Sequence, residues 1–295
     1  MFFDPNITLV LRSLMPWAGE FFKLISQLGS EYFYIGLVLI GFWAVKKRAA
    51  ILLTYVLLTG MVSNYLLKLA IANPRPDSSY WYPGVEETNY STPSNHAQLS
   101  STLYSWFSLK IKTWWILILS IVLTFLIGIS RVYLGVHYLE DVLIGWSIGI
   151  ITALILYYLE KPFADWLSKY RDEYLYLMLF LIGFGMTAAL TYLTPLAPGD
   201  NFGSFGGIIM GTAIGLLLEK RLVNFSAELE TRPNRNVLLR LILRCVIGLI
   251  FVIGLLVVLS PFMPTADVWL RALRYTIVAV SGFFVWPLIF TRLKL

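Results

Sequence analysis

Charge is what this sequence has least of. Of its 295 residues only 14% are Asp, Glu, Lys or Arg and 58% are hydrophobic, whereas soluble globular chains carry roughly 25% charged residues. Mean hydropathy is +0.73, which excludes an ordinary soluble domain. Cysteine occurs once, at Cys245, so no intrachain disulfide framework exists; a small apolar core role suits it. Histidine occurs twice, at His96 and His137. No carboxylate cluster and no Cys/His spacing offers a ligand set for a metal. The apolar runs are continuous rather than alternating, which argues against a closed β-barrel. The net charge of +6 does not point to nucleic acid, because the basic residues sit mostly in short loops between apolar runs.

What is present is a series of apolar runs long enough to cross a bilayer. The sequence therefore predicts an all-α, polytopic membrane helical bundle of about nine transmembrane helices. The runs fall at about 30–45, 49–67, 94–109, 113–130, 138–158, 174–195, 204–219, 239–260 and 268–290. Residues 1–29 mix apolar and charged positions (Asp4, Arg12, Glu20, Lys23) and read as an interfacial amphipathic segment, with a tilted crossing as the alternative. Residues 30–160 form a front core. A charged linker, Glu160 to Glu173, leads to a four-helix extension over 161–295. There, Gly203, Gly206, Gly207, Gly211 and Gly215 suggest close helix packing, and a charged loop runs from Glu219 to Asn236. Between the second and third runs lies a polar loop, 73–92, with Pro74, Pro76 and Pro83-Gly84 as breakers. Its Tyr80, Trp81, Tyr82 and Tyr90 suit a headgroup boundary.

Loop charges set the orientation. With Lys46-Lys47-Arg48 in the cytoplasm, fifteen of the 23 Lys and Arg residues fall on the cytoplasmic side and seven on the other, with Arg244 inside a run. This favours an outside amino terminus and an inside carboxyl terminus. Arg271 and Arg274 are exceptions, read either as snorkelling anchors or as a sign that the last run is misplaced.

Three polar clusters interrupt the apolar pattern on the same, non-cytoplasmic face. The first is Lys68 to Pro76. Lys68 and Arg75 are seven apart and would share a helix face, but Pro74 disfavours continuation that far. The second is Pro93-Ser94-Asn95-His96, where Ser94 and Asn95 are good N-cap residues beside backbone N–H groups suited to an anion. The third is Ser130-Arg131-Val132-Tyr133-Leu134-Gly135-Val136-His137-Tyr138-Leu139-Glu140-Asp141. His137 and Asp141 are four apart and on a helix could touch. A carboxylate fixes an imidazole's tautomer, as a histidine nucleophile or base requires, and arginine forks onto phosphate oxygens. Charges near lipid are costly and mark function. Three cations, two histidines and a carboxylate suit phosphoryl transfer, which needs charge neutralisation and positioning.

Lys68-x6-Arg75-Pro76, Pro93-Ser94-x-His96 and Ser130-Arg131-x5-His137-x3-Asp141 together resemble the three motifs of the type 2 phosphatidic acid phosphatase superfamily. That superfamily includes lipid phosphatases, glucose-6-phosphatase and vanadium haloperoxidases. The resemblance spans residues 68–141. Asn95 stands where the second motif often has glycine; other branches, including the sphingosine-phosphate and dolichyl-diphosphate phosphatases, also have a non-glycine there. Nine spans with an outside amino terminus look more like glucose-6-phosphatase than like the common six-span lipid phosphatases.

The resemblance implies a metal-independent, cofactor-free hydrolase. His137 would attack phosphorus, Asp141 would hold the other ring nitrogen, and His96 would protonate the leaving oxygen and then activate water. Lys68, Arg75, Arg131 and Ser94, with backbone N–H near Asn95, would hold the phosphoryl oxygens. A surface pocket suits a phosphorylated lipid: a polyprenyl diphosphate, phosphatidic acid, phosphatidylglycerol phosphate or a sphingoid-base phosphate. The rivals are a sugar-phosphate phosphatase, a phosphotransferase using the same phosphohistidine, and, outside enzymology, a transporter; a haloperoxidase is disfavoured by the membrane-embedded chain. The expected location is the cell (inner) membrane of a prokaryote or the endoplasmic reticulum of a eukaryote, with the site facing away from the cytoplasm. Oligomeric state is not legible.

Overall fold

The computed structural model describes residues 3–193, 202–227, 235–264 and 266–295, and among these every regular element is helical. In chain order the α-helices are α1 (Asn6–Leu14), α2 (Gly19–Gln27), α3 (Glu31–Ile40), α4 (Lys47–Ile71), α5 (Asn95–Ile111), α6 (Trp114–Tyr133), α7 (Leu139–Leu167), α8 (Asp172–Leu193), α9 (Phe202–Leu222), α10 (Arg235–Leu259), α11 (Val268–Val280) and α12 (Trp286–Leu293). A π turn, Gly41–Val45, extends α3, and a second, Ser281–Val285, joins α11 to α12.

Six of the described stretches are long and apolar enough to cross a bilayer: α4, α6, α7, α8 (Asp172–Ala189), α10 (Asn236–Leu259) and Val268–Leu293. A seventh arises if α2 and Glu31–Val45, bent by 45° to each other, make one broken span. The nine expected spans also include α5 and α9, which lie outside this set. Large apolar side chains are exposed on the long helices, among them Ile118, Ile121, Ile151, Ile155, Ile250 and Val257. Hydrocarbon is the solvent in which such faces cost nothing, provided each backbone group is satisfied within its own helix.

The chain forms two compact units. The first comprises Met1–Ile35 with Tyr55–Phe163, the second Gly36–Thr54 with Ala164–Leu295. In the first unit α5 is the central helix. Its Ala97, Gln98, Leu99, Ser100, Ser101, Thr102 and Leu103 are fully buried. That polar content is satisfied by neighbours: Asn64 of α4 donates to Gln98 Oε1 (2.9 Å) and Gln98 donates to Ser63 Oγ (3.0 Å). Gly145 and Gly149 of α7 bring that helix against α5, where a Cβ would meet Ser94 O at 2.9 Å and Thr102 N at 3.0 Å. Small residues permit this approach, as at membrane helix interfaces generally.

The helices α1 and α2 pack against the first unit's other helices, both of them on α6. Thr8 donates to Val132 O (2.8 Å), Arg12 Nε to Tyr133 O (2.9 Å) and Tyr133 OH to Met15 O (2.8 Å). Tyr80, Trp81 and Tyr82 also serve packing: Arg12 donates to Tyr80 O (2.7 Å), Trp81 Nε1 to Pro76 O (3.0 Å) and the Tyr82 amide to Leu134 O (2.9 Å).

In the second unit α9 packs on both α8 and α11. A Cβ at Gly207 would collide with the backbone of Ala272 and one at Gly211 would lie 2.9 Å from Thr276 Cα, so close packing is what these glycines permit. The surroundings of Gly203 lie outside the described residues. The segment expected as a charged linker from Glu160 is helix as far as Leu167, with Pro162 inside it; its charges do not break it because i→i−4 bonding continues around one proline. Of the expected loop at 219–236, residues 228–234 lie outside the described residues. Arg271 and Arg274 are 6% and 4% exposed, and Arg274 donates to Ser260 Oγ (3.0 Å). They are protein-packed, so the snorkelling reading does not hold.

Candidate active site

All eight residues singled out in the sequence belong to the first unit. Lys68 is in the last turn of α4. Ala72 adopts φ +50°, and the chain leaves the helix there, so Arg75 lies in the loop. Helical register therefore does not align Lys68 with Arg75; the loop does. Ser94 is the N-cap of α5, and Asn95 and His96 open its first turn. Arg131 is in the last turn of α6 and Asp141 in the first turn of α7. His137 lies in the connection between them, so the expected His–Asp contact is made from a loop onto a helix start.

That connection turns sharply at Gly135, with φ +76°. A Cβ there would meet the Tyr80 carbonyl, so glycine is required for both conformation and space. The turn carries His137 back over the end of α6. His137 Nδ1 lies 3.2 Å from Asp141 Oδ2. Asp141 also accepts from the Tyr138 amide (2.9 Å), from Thr92 Oγ1 (2.5 Å) and from Ser91 Oγ. On the other side of the ring, Arg75 Nη1 donates to His137 Nε2 (3.1 Å) and to Val136 O (2.7 Å). Arginine can only donate, so these contacts assign the proton to Nδ1 and the lone pair to Nε2. Burial first, and then Arg75, Lys68 and Arg131, push His137 well below the usual imidazole pKa. The ring is thus neutral near pH 7, with an unprotonated nitrogen facing the cations and accepting from Arg75.

The cations converge through a strap that the sequence reading had treated only as a polar loop. Lys68 donates to Ser91 O (3.1 Å) and to Tyr90 O. Arg75 donates from Nε to Asn89 O (2.6 Å) and from Nη2 to Asn89 Oδ1. Asn73 Nδ2 donates to Thr92 Oγ1 (2.8 Å). Most unexpected is Glu87: its Oε2 pairs with Arg75 Nη2 (3.2 Å) and its Oε1 with Arg131 Nη2. Arg131 Nη1 donates to Ser26 Oγ (2.7 Å). Burial alone would raise the Glu87 carboxyl; Arg131 and Arg75 outweigh it and hold it far below the usual carboxylate range. Burial lowers Arg75 to about 10 against the pull of Glu87, which leaves it cationic at any working pH.

Glu87, Asn89, Ser91 and Thr92 were missed because nothing local distinguishes them from loop polarity. Their one signal was a dense polar run directly before the second motif. Ser94 Oγ is fully buried and has no partner among the described residues, while the Ser94 amide donates to Asp141 O (3.0 Å). Asn95 and His96 make no side-chain hydrogen bond among the described residues; His96 is half-buried with Gly29 beside its ring. The first-turn N–H groups of α5 have no intrahelical acceptor, as at every helix start. The site thus combines an unprotonated imidazole nitrogen, buried guanidinium groups, an unpartnered hydroxyl and a second histidine. That set can bind a tetrahedral anion and accept a phosphoryl group.

Comparison with known proteins identifies relatives of the chain. The model for the PAP2 superfamily matches residues 48–165, and that for a PAP2 superfamily phosphatase transmembrane extension matches residues 203–295. A phosphatidylglycerophosphatase B of Bacillus subtilis is 34% identical, over 54% of this chain and 81% of that protein. A sphingosine-1-phosphate phosphatase 1 of Mus musculus is 28% identical over 79% of this chain, which spans little more than half (57%) of the mouse protein. A dolichyldiphosphatase of Saccharomyces cerevisiae is 26% identical over 60% of this chain and 79% of that protein. These relatives are lipid phosphatases.

Proposed function

The chain belongs to the PAP2 superfamily, and from that premise we propose that it is a membrane phosphatase cleaving a phosphomonoester or diphosphate of a lipid through a phosphohistidine on His137. The single observation that carries this reading is the ring of His137, held by Asp141 at Nδ1 and presented at Nε2 to Arg75. In the first step Nε2 attacks phosphorus and the bond to the leaving oxygen breaks. His96 donates a proton to that oxygen. Asp141 steadies the positive ring that results. In the second step His96 takes a proton from water, the hydroxide attacks phosphorus, and the N–P bond breaks to release phosphate. Arg75, Arg131, Lys68 and Ser94, with the first amides of α5, neutralise and orient the equatorial oxygens.

No metal takes part in this scheme, since guanidinium groups supply the neutralisation. The excess of Lys and Arg in the alternate loops supports a site on the non-cytoplasmic face. A reacting centre formed by helix ends and the loops between apolar helices would suit an amphiphile, and the relatives' substrates support the same class.

The test is phosphate release by the detergent-purified protein. The panel is phosphatidic acid, phosphatidylglycerol phosphate, a sphingoid-base phosphate, undecaprenyl diphosphate and glucose 6-phosphate. Lipid substrates should lead the panel, vanadate should compete with them, and EDTA should leave the rate unchanged. Replacing His137 or His96 by alanine should abolish release while the protein still inserts and folds. Wild-type-like turnover by the His137 variant would sink the assignment, and a clear preference for glucose 6-phosphate would move the substrate class to sugars. Transfer of the trapped phosphoryl group to an added alcohol faster than to water would make the enzyme a transferase.

A further inference from the structure

Glu87 lies outside every motif, yet it touches both arginines of the site. Its two carboxylate oxygens divide between them, Oε2 to Arg75 and Oε1 to Arg131. Those arginines have 8% and 4% of their side-chain surface exposed, and Glu87 retains 23%. Each arginine also has other partners: Arg75 on Asn89, Val136 and His137, Arg131 on Ser26. The Nη2 groups of both meet on a single carboxylate carried by a loop, while Arg131 Nε is buried with no partner among the described residues. Two buried guanidinium groups without an anion between them would be costly. A carboxylate and a phosphoryl group present oxygen pairs that arginine reads with the same fork. Glu87 therefore sits where the proposed reaction needs phosphoryl oxygens. The backbone on either side of Glu87 is tethered, at Val85 through its amide to Tyr82 O (3.1 Å) and at Asn89 through Arg75, while no backbone hydrogen bond is made by residues 86–88 themselves among the described residues.

We propose that Glu87 is a specificity-determining internal competitor, which holds Arg75 and Arg131 while the site is empty and is displaced by the phosphoryl oxygens of substrate. This rests on the reading of those arginines as phosphate ligands. The consequence is a charge threshold. A phosphodiester lipid brings one negative charge, no more than the carboxylate it must displace. A phosphomonoester brings about −1.5 to −2, and a terminal diphosphate more than a diester. In a bilayer made mostly of diester lipids, the exchange with Glu87 rejects the abundant headgroups. The same competition returns inorganic phosphate to water after the second step.

The test is inhibition of lipid-phosphate hydrolysis by inorganic phosphate, by vanadate and by the diester phosphatidylglycerol, in wild type and in Glu87→Gln. Removing the competing charge should tighten phosphate and vanadate inhibition by about tenfold, the scale of one charge-assisted hydrogen bond. It should also make phosphatidylglycerol a measurable inhibitor. A positioning role alone predicts the opposite sign, weaker inhibition by both anions, and that result or unchanged constants would overturn the proposal. If Glu87→Gln fails to fold, amide exchange over residues 85–88 of wild type decides: saturating vanadate should speed it, and slower or unchanged exchange would overturn the proposal. A wild type that neither releases phosphate nor binds vanadate would overturn the reading of the site as well, whereas an active, vanadate-sensitive wild type with weakened inhibition in Glu87→Gln removes the competitor alone.

Discussion

Both units of this protein bury arginines, and they use them differently. In the second unit the half-buried Arg244 donates to Trp43 O (2.8 Å) and Leu295 O and lies over the Phe290 ring at 4.3 Å. Arg274 donates to Ser260 and sits against Tyr275. These partners are backbone carbonyls, a hydroxyl and aromatic faces, spread apart and belonging to the fold. In the first unit Arg75 and Arg131 converge on one carboxylate beside an imidazole lone pair. Buried charge by itself therefore does not mark a site in a membrane protein. Convergence of several charges on one exchangeable anion does, because only that arrangement can trade an internal partner for a ligand.

The contrast can be broken at several points. The largest expected effect is at the base of the imidazole. Asp141→Asn keeps the shape but reverses the preferred tautomer, and kcat should fall by about 10⁴-fold, the scale seen when a histidine loses its orienting carboxylate; steady-state phosphate release in detergent measures it. Next comes the paired exchange of arginines. Arg131→Gln should lower kcat/KM by about 10²- to 10³-fold. Arg274→Gln should leave turnover per folded molecule within about twofold and lower the melting temperature by a few degrees, in line with a lost hydrogen bond of about 1–3 kcal/mol. Equal losses of turnover in the two variants would erase the distinction between the units.

A smaller effect is expected at Ser94. Its hydroxyl is buried without a partner, so Ser94→Ala should cost no stability while lowering kcat/KM about tenfold, one hydrogen bond to the reacting anion. The last expectation concerns pH. Because burial and the nearby cations depress the His137 pKa, the free enzyme keeps its nucleophile neutral below the usual value of about 6.5. The acidic limb of kcat/KM should therefore lie below pH 6.5. For stability the sign is the same: the neutral ring's contribution is present above about 6.5 and is lost as pH falls through the folded-state pKa.

Much of the site was legible because its motifs have fixed spacings within or beside helices. His137 and Asp141 meet as their four-residue separation suggested, although the histidine sits in a turn rather than on a helix. Lys68 and Arg75 do act on the same neighbourhood, but through the strap at residues 87–92 and not through a shared helix face. Glu87 could not be found this way. It is 12 residues from Arg75 and 44 from Arg131, and no periodicity links a loop carboxylate to a helix end at such distances. The amino-terminal helices were read as amphipathic, correctly in pattern; that they anchor Arg131 through Ser26 is a packing fact.

The sequence by itself determined that this chain is helical and lies in a membrane, because low charge and long apolar runs allow the backbone no other way to satisfy its hydrogen bonds in hydrocarbon. It also pointed to the histidines, cations and carboxylate that the proposed phosphate chemistry uses, since those are written as short motifs. Only the tertiary structure decided that Gly36–Thr54 joins the second unit, that a polar strap ties the motifs together, and that a glutamate rests between the arginines. Loop paths are set by the sum of many weak contacts between distant residues, and that sum exists only once the helices have packed.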